Sequence, residues 1–334
     1  MLFHNAYLHN IVELVPAAPE AGFGILRIPQ SVRQHLNDLA RNNSVQGSGC
    51  EVRFNLVGPS ATLTLQAVER PVIAEVYSGC FLHSWQVIQT TPTTITIAPH
   101  ERHAKLLELS KLQRFPFDTQ LFRVMLPWRP PCRILNLQGD LTPPRPEQTP
   151  ALRYLAYGSS ITHGNCTFEP TGTWASQLAR LLNADLINLG FGGGAHCEKE
   201  IVDYIAGRED WSFATLEMGI NMLGGFTVEE HAARVEYLIS TLHRKYPEKY
   251  LFCIDVFTHG EDWLGNGEGK TAAFRRNVAE IVRKINSPKV LHIDGRAMLP
   301  SPTGLTADLV HPSPDGMTQI ATNLHAILRH YVQG

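Results

Sequence analysis

The hydrophobic period changes once along this chain, and the change falls across a segment that no regular element can cross easily. Thr142-Pro143-Pro144-Arg145-Pro146-Glu147-Gln148-Thr149-Pro150 holds four prolines in nine residues. Each proline fixes φ and removes a backbone donor, so the segment predicts a stiff, extended connector. Two domains are therefore expected, over 1–141 and 151–334, with 142–150 as the linker, a division in keeping with 334 residues.

Before the connector, apolar and polar residues alternate with period two. Val52, Phe54 and Leu56 stand against Arg53 and Asn55, and Leu63, Leu65 and Ala67 against Thr62, Thr64 and Gln66. Thr93 to Ile97 and Phe122 to Leu126 continue the pattern, with Gly, Pro, Asn and Ser between the runs. Only one helix is expected, Ser31 to Ala40, where Val32, Leu36 and Leu39 share a face. Strand following strand predicts an all-β sandwich of jelly-roll type.

After the connector, short apolar runs alternate with amphipathic stretches. Strands are expected at Arg153 to Tyr157, Asp185 to Leu189, Phe213 to Met218, Tyr250 to Phe257 and Val290 to Ile293. Helices are expected at Thr173 to Asn183, Glu198 to Ala206, Val228 to Tyr246, Thr271 to Ile285 and Met317 to Arg329. Such alternation predicts a parallel sheet covered on both faces, with its site at the carboxyl ends of the strands.

Composition narrows the chemistry by exclusion. The net charge of -2 and the lack of a Lys/Arg run remove the electrostatic footprint of a nucleic-acid binder. No stretch approaches the 18 or so apolar residues of a membrane span, and Met1 to Tyr7 has no signal-peptide pattern, so a cytoplasmic, soluble chain is expected. Six cysteines lie scattered at 50, 80, 132, 166, 197 and 253 with no Cys-x-x-Cys pair, and the 15 histidines form no ligand spacing. These patterns predict reduced thiols and no metal site.

Four short segments then carry chemistry. Gly158-Ser159-Ser160 follows the strand ending at Tyr157, where a serine hydroxyl is exposed at the sheet edge and needs a base to become a nucleophile. Gly190, Gly192, Gly193 and Gly194 follow the next strand and free a backbone N–H, that of Gly193, to point at a ligand; the spacing fits no phosphate-loop motif. Asn221 follows the third strand and offers a side-chain amide donor. Finally, Asp308 stands three residues before His311, placed to hold the imidazole in one tautomer, ahead of a helix whose start reads Ser313 cap, Pro314, Asp315.

Taken together, these blocks resemble the SGNH hydrolases, also called the GDSL family, in which Ser, Gly, Asn and His blocks occur in this order over residues 152 to 330. The resemblance implies a three-layer α/β/α, flavodoxin-like domain with Ser160 as nucleophile, His311 as base and Asp308 as its partner. It also implies an oxyanion hole made by the N–H groups of Ser160 and Gly193 and the amide of Asn221. Position in the motif favours Ser160 over Ser159. Two residues depart from the family pattern: Ser159 stands where Asp usually precedes the nucleophile, and Met222 where Asp usually follows the asparagine. Both departures remove carboxylates that brace loops.

A β-sandwich ahead of such a domain is similar to bacterial carbohydrate esterases that remove acetyl groups from sugars. That likeness implies a serine esterase acting on a small O-acetylated saccharide, with Trp263 and His163 as candidate substrate contacts. Two other classes stay open: an acyltransferase using the same acyl-enzyme, and a catalytically silent carbohydrate-binding protein. A homo-oligomer is compatible with the sequence, and neither nucleic acid nor membrane is an expected partner.

Overall fold

One long strand organises the front of the chain. The computed structural model describes residues 1–17, 22–265 and 269–333. The chain divides into two compact units, one of Met1–Gln30, Ser44–Ala151 and Phe168–Thr171, the other of Ser31–Asn43, Leu152–Thr167 and Gly172–Gly334.

The first unit contains β1 (Leu2–Phe3), β2 (Ala6–His9), β3 (Glu13–Pro16), β4 (Phe23–Leu26), β5 (Glu51–Ala67), β6 (Val72–Ser78), β7 (Phe81–Ile88), β8 (Thr93–Ile97), β9 (Leu121–Met125) and β10 (Cys132–Thr142). All pairing among them is antiparallel, in the order β3-β4-β10-β5-β9-β6-β7. The 17-residue β5 also takes β2 along Glu51–Arg53 and β8 along Ala61–Leu65. Along its second half the expected alternation is seen: Ala61, Leu63, Leu65 and Ala67 are buried, with Thr62, Thr64 and Gln66 between them partly exposed.

Along the first half of β5 the alternation fails, because Glu51 through Asn55 are all buried. The polar side of the strand is covered by an ion cluster: Arg53 Nε donates to Glu51 Oε2 at 2.8 Å, and Arg123 donates to both Glu51 oxygens at 2.8 and 2.7 Å. The Phe117 ring lies under the Arg123 guanidinium, 3.4 Å from its centroid. Paired charge of this kind makes a buried polar face tolerable.

Two helix expectations are corrected. The single helix over Ser31 to Ala40 is instead two short ones, Gln30–Arg33 and Asp38–Asn43. A helix not expected at all spans His103–Leu112; none of its residues is fully buried, so it has little apolar stripe for a sequence pattern to reveal. Within Thr142–Pro150 the chain is not wholly extended either. Pro146–Gln148 makes one 3-10 turn, and the buried Gln148 amide exchanges hydrogen bonds with Asn55 at 2.9 and 2.8 Å.

In the second unit, β11 (Arg153–Gly158), β12 (Asp185–Gly190), β13 (Phe213–Glu217), β14 (Tyr250–Ile254) and β15 (Val290–Ile293) form a parallel sheet in the order β12-β11-β13-β14-β15. β12 and β13 are buried at every residue, as expected for strands covered on both faces. Helices Trp174–Leu181 and Pro314–Val332 pack together on one side, around Trp174, Leu178, Met317, Ile320 and Leu324. Val228–Lys245 packs against both Lys199–Ala206 and Lys270–Ile285. The result is the α/β/α layering expected from the sequence, preceded in the chain by a β-rich unit.

This strand order places β12 and β13 on either side of β11. The chain reverses its direction of winding there, and a crevice opens at the carboxyl ends of the strands flanking such a point. Among the described residues no helix is long and apolar enough to cross a membrane.

Candidate active site

Ser160 enters this crevice on a tight turn. β11 ends at Gly158, Ser159 adopts extended backbone, and its hydroxyl accepts from the Ile161 N–H at 3.1 Å, capping the one-turn helix Ser160–His163. Gly164, with φ of 112°, closes that turn in a conformation side chains avoid. Ser159 is thereby committed to the cap and buried, whereas Ser160 Oγ lies 2.8 Å from His311 Nε2.

His311 is delivered by a closed loop. The His311 carbonyl accepts from Thr306 N–H at 2.8 Å, and the Thr306 carbonyl accepts from Leu309 N–H at 2.9 Å. Leu309 itself sits at a φ of 58°. Asp308 fixes the loop from inside: Oδ1 accepts from the N–H groups of Val310 and His311, each at 2.9 Å, and from the Thr306 hydroxyl at 2.8 Å. Its other oxygen, Oδ2, lies 2.6 Å from His311 Nδ1. Partial burial alone would push the Asp308 carboxyl up, but these hydrogen bonds outweigh it and hold the group well below the usual carboxylate range. A carboxylate there keeps the ring proton on Nδ1 and leaves Nε2 to face the serine as an acceptor.

The glycine run and Asn221 follow β12 and β13. Gly193 has a φ of 71°, so only glycine adopts it without strain. Gly194 is required for a different reason: a Cβ there would stand 2.3 Å from the backbone nitrogen of Ala40. Helix Asp38–Asn43 thus lies directly on the glycine run, where Asn43 Nδ2 donates to the Gly192 carbonyl at 2.8 Å and Asn37 Nδ2 to the Gly194 carbonyl at 2.9 Å. Gly192 passes close to Ser160, since a Cβ on it would be 3.5 Å from Ser160 Cβ.

Asn221 sits in the 3-10 turn Ile220–Met222, after Gly219 at a φ of 123°. Its Oδ1 accepts from the Ala195 N–H at 3.2 Å. With the oxygen so engaged, the amide NH2 is the end left to donate.

Two residues close to this arrangement escaped the sequence reading. Glu217, the last residue of β13, is 1% exposed; its Oε2 accepts from Ser159 N–H at 2.6 Å and from the Thr162 hydroxyl at 3.0 Å. Burial raises its carboxyl above the ordinary value, against the pull of those hydrogen bonds. Cys166 lies beside Asp308, its thiol raised by burial and by the Asp308 charge. One ligand atom each from Cys166, Asp308 and His311 lie within 4.8 Å of one another, the one such grouping among the described residues, and two of its three members already belong to the Ser160–His311–Asp308 chain. All six cysteines are free thiols.

Of the proposed substrate contacts, His163 is 1% exposed, its backbone packed under Gly190 and its ring near Gly192. Trp263 is 45% exposed on the short helix Glu261–Leu264, while residues 266–268 of the glycine-rich stretch around it lie outside the described residues. Trp174 is fully buried core. His196, beside the glycine run, packs edge-on against Phe226 with its carbonyl accepting from Arg234.

The parallel sheet and the residues gathered at its strand ends define a carboxylic ester hydrolase. Residues 153–329 match the GDSL-like Lipase/Acylhydrolase family, and the chain belongs to it. Solved structures share the architecture at low identity. A salicylyl-acyltransferase, SsfX3, from a tetracycline biosynthetic pathway is 16% identical with a TM-score of 0.80, covering 98% of this chain and 95% of its own. A family two carbohydrate esterase from Clostridium thermocellum, in complex with cellohexaose, is 17% identical with a TM-score of 0.61, covering 86% and 94%. One from Cellvibrio japonicus is 15% identical with a TM-score of 0.61, covering 90% and 93%. No curated protein matches the sequence.

Proposed function

We propose that the protein is a serine esterase that deacetylates O-acetylated saccharides through an acyl-enzyme. The observation that carries the reading is the continuous chain from Ser160 Oγ to His311 Nε2, 2.8 Å, and from His311 Nδ1 to Asp308 Oδ2, 2.6 Å. Ser160 Oγ attacks the ester carbonyl carbon as its proton passes to Nε2, and the imidazolium that forms is held by Asp308. Negative charge gathers on the former carbonyl oxygen, facing the N–H groups of Ser160 and Gly193 and the Asn221 amide. The C–O bond to the sugar breaks, His311 returns the proton to that oxygen, and the acetyl group stays on Ser160. Water then repeats the sequence and releases acetate.

No step calls on a metal or organic cofactor. The saccharide half of the reading draws support from the two family two carbohydrate esterases, whose chains are covered over nine-tenths of their length. A second reading, transfer of the acyl group to an alcohol other than water, draws support from the salicylyl-acyltransferase, which matches 98% of this chain.

Hydrolysis of p-nitrophenyl acetate and of a panel of O-acetylated sugars, by wild type and by Ser160→Ala, tests the reading. The expected result is turnover of both substrate types by wild type and none above background by the variant. Equal rates from the two proteins would remove Ser160 as nucleophile. Acetylated sugars that are not hydrolysed, with acetyl passing instead to an added alcohol, would select the transferase.

A further inference from the structure

Nothing in the proposed chemistry uses Glu217, yet it is the most deeply buried carboxylate near the nucleophile. It ends β13, the strand beside β11, in the register step that follows Leu216↔Tyr157 and so lies level with Gly158. From there its Oε2 gathers two donors of the nucleophile turn, the Ser159 N–H at 2.6 Å and the Thr162 hydroxyl at 3.0 Å. Gly158 makes the approach feasible: a Cβ there would stand 2.5 Å from Glu217 Oε2 and 2.3 Å from Thr162 Oγ1. The two donors lie on either side of Ser160, so one carboxylate oxygen spans the residue that carries the reacting hydroxyl. Asn188 adds a tie from the next strand, donating to the Thr162 carbonyl at 2.9 Å.

We propose that Glu217 is a positioning residue for the reaction, an acceptor that clamps the Gly158–Thr162 turn and so sets both the Ser160 hydroxyl against His311 and the Ser160 N–H toward the oxyanion. The clamp works by hydrogen-bond acceptance and not by charge. It supplies, from β13, the carboxylate that the chain lacks at Ser159. The inference rests on Ser160 being the nucleophile.

Three variants test it: Glu217→Gln keeps an acceptor oxygen, Glu217→Leu keeps volume without one, and Ser160→Ala sets the floor. Steady-state hydrolysis of p-nitrophenyl acetate is read as kcat and KM separately, well below the Tm of each protein. Glu217→Leu is expected to lose about 100-fold in kcat, the scale of an angstrom's misplacement of a reacting group, with KM little changed. Glu217→Gln is expected to recover most of that loss. If Glu217→Leu does not fold, Thr162→Val, which removes one of the two donors, is expected to lower kcat by about tenfold, the order of one hydrogen bond. Wild-type kcat in the folded Leu variant, or in Thr162→Val where Leu does not fold, overturns the proposal; so does a Gln variant as slow as Leu, or a loss confined to KM. A Ser160→Ala protein as fast as wild type would instead overturn the nucleophile assignment itself.

Discussion

Replacing Asp308 by Asn tests the His311 assignment more sharply than deleting the histidine would. Asp308 Oδ1 accepts three hydrogen bonds, from Thr306, Val310 and His311, whereas among the described residues Oδ2 is hydrogen-bonded only to the His311 ring. An asparagine has one acceptor oxygen, and three donors against one decide that it turns toward the loop. The NH2 group then faces His311 Nδ1, which must accept, and the ring proton moves to Nε2. There it points at Ser160 and cannot receive the serine proton. A wrong tautomer of this kind costs about 10^4 in kcat at other Ser-His-Asp sites, which corresponds to about 5 kcal/mol of transition-state stabilisation.

Because the three loop donors keep an acceptor, the fold should be undisturbed. The expected result for Asp308→Asn is therefore a kcat on p-nitrophenyl acetate reduced by about 10^4, an unchanged KM and a Tm close to wild type. A fluorophosphonate that labels serine should slow in the same proportion. A variant retaining a tenth or more of the wild-type kcat would refute the tautomer argument. A loss accompanied by a collapsed Tm would refute the claim that the three loop donors keep their acceptor.

Two further outcomes follow from the geometry. Asn221→Asp keeps an acceptor for the Ala195 N–H but removes the donor, so kcat should fall by about 100- to 1000-fold with little change in KM; unchanged turnover would take Asn221 out of the oxyanion hole. In the first unit, burial would raise the Glu51 carboxyl, but Arg123 and Arg53 overcome it and hold the group far below its ordinary value. A depressed carboxyl stabilises the fold above its unfolded value of about 4.3 and loses that contribution as pH falls through the folded value. Glu51→Gln should cost about 3–5 kcal/mol at neutral pH by leaving one buried and one part-buried guanidinium group uncompensated, and urea melts at pH 7 and pH 3.5 should show its deficit shrinking in acid.

The parallel sheet was legible because each of its strands is a short apolar run between amphipathic stretches, and the blocks at 158–160, 190–194 and 221 fall at or just beyond strand ends. His311 and Asp308 were legible because they are three residues apart on one loop. What escaped are contacts between residues remote in the chain. Asn43 reaches Gly192, and a Cβ on Gly194 would meet Ala40; a glycine run that reads as freedom for a backbone N–H is also a seat for a helix 150 residues away in sequence. Glu217 escaped for the same reason, since a lone Glu at a strand end declares nothing until β11 brings Ser159 and Thr162 beside it. The helix His103–Leu112 and the buried Arg53 escaped because the apolar period is a signal of burial by apolar side chains. An exposed helix and a face covered by ion pairs leave no such trace.

The assignment of Ser31–Asn43 to the same unit as the parallel sheet has a genetic consequence. Neither unit is encoded as one uninterrupted stretch, so a single cut in the reading frame between residues 141 and 151 does not separate them. A gene fragment beginning at Leu152 would leave the glycine run without Leu39, Ala40 and Asn43. Any exchange of the front half between relatives would have to carry these thirteen codons for the glycine run to keep its seat.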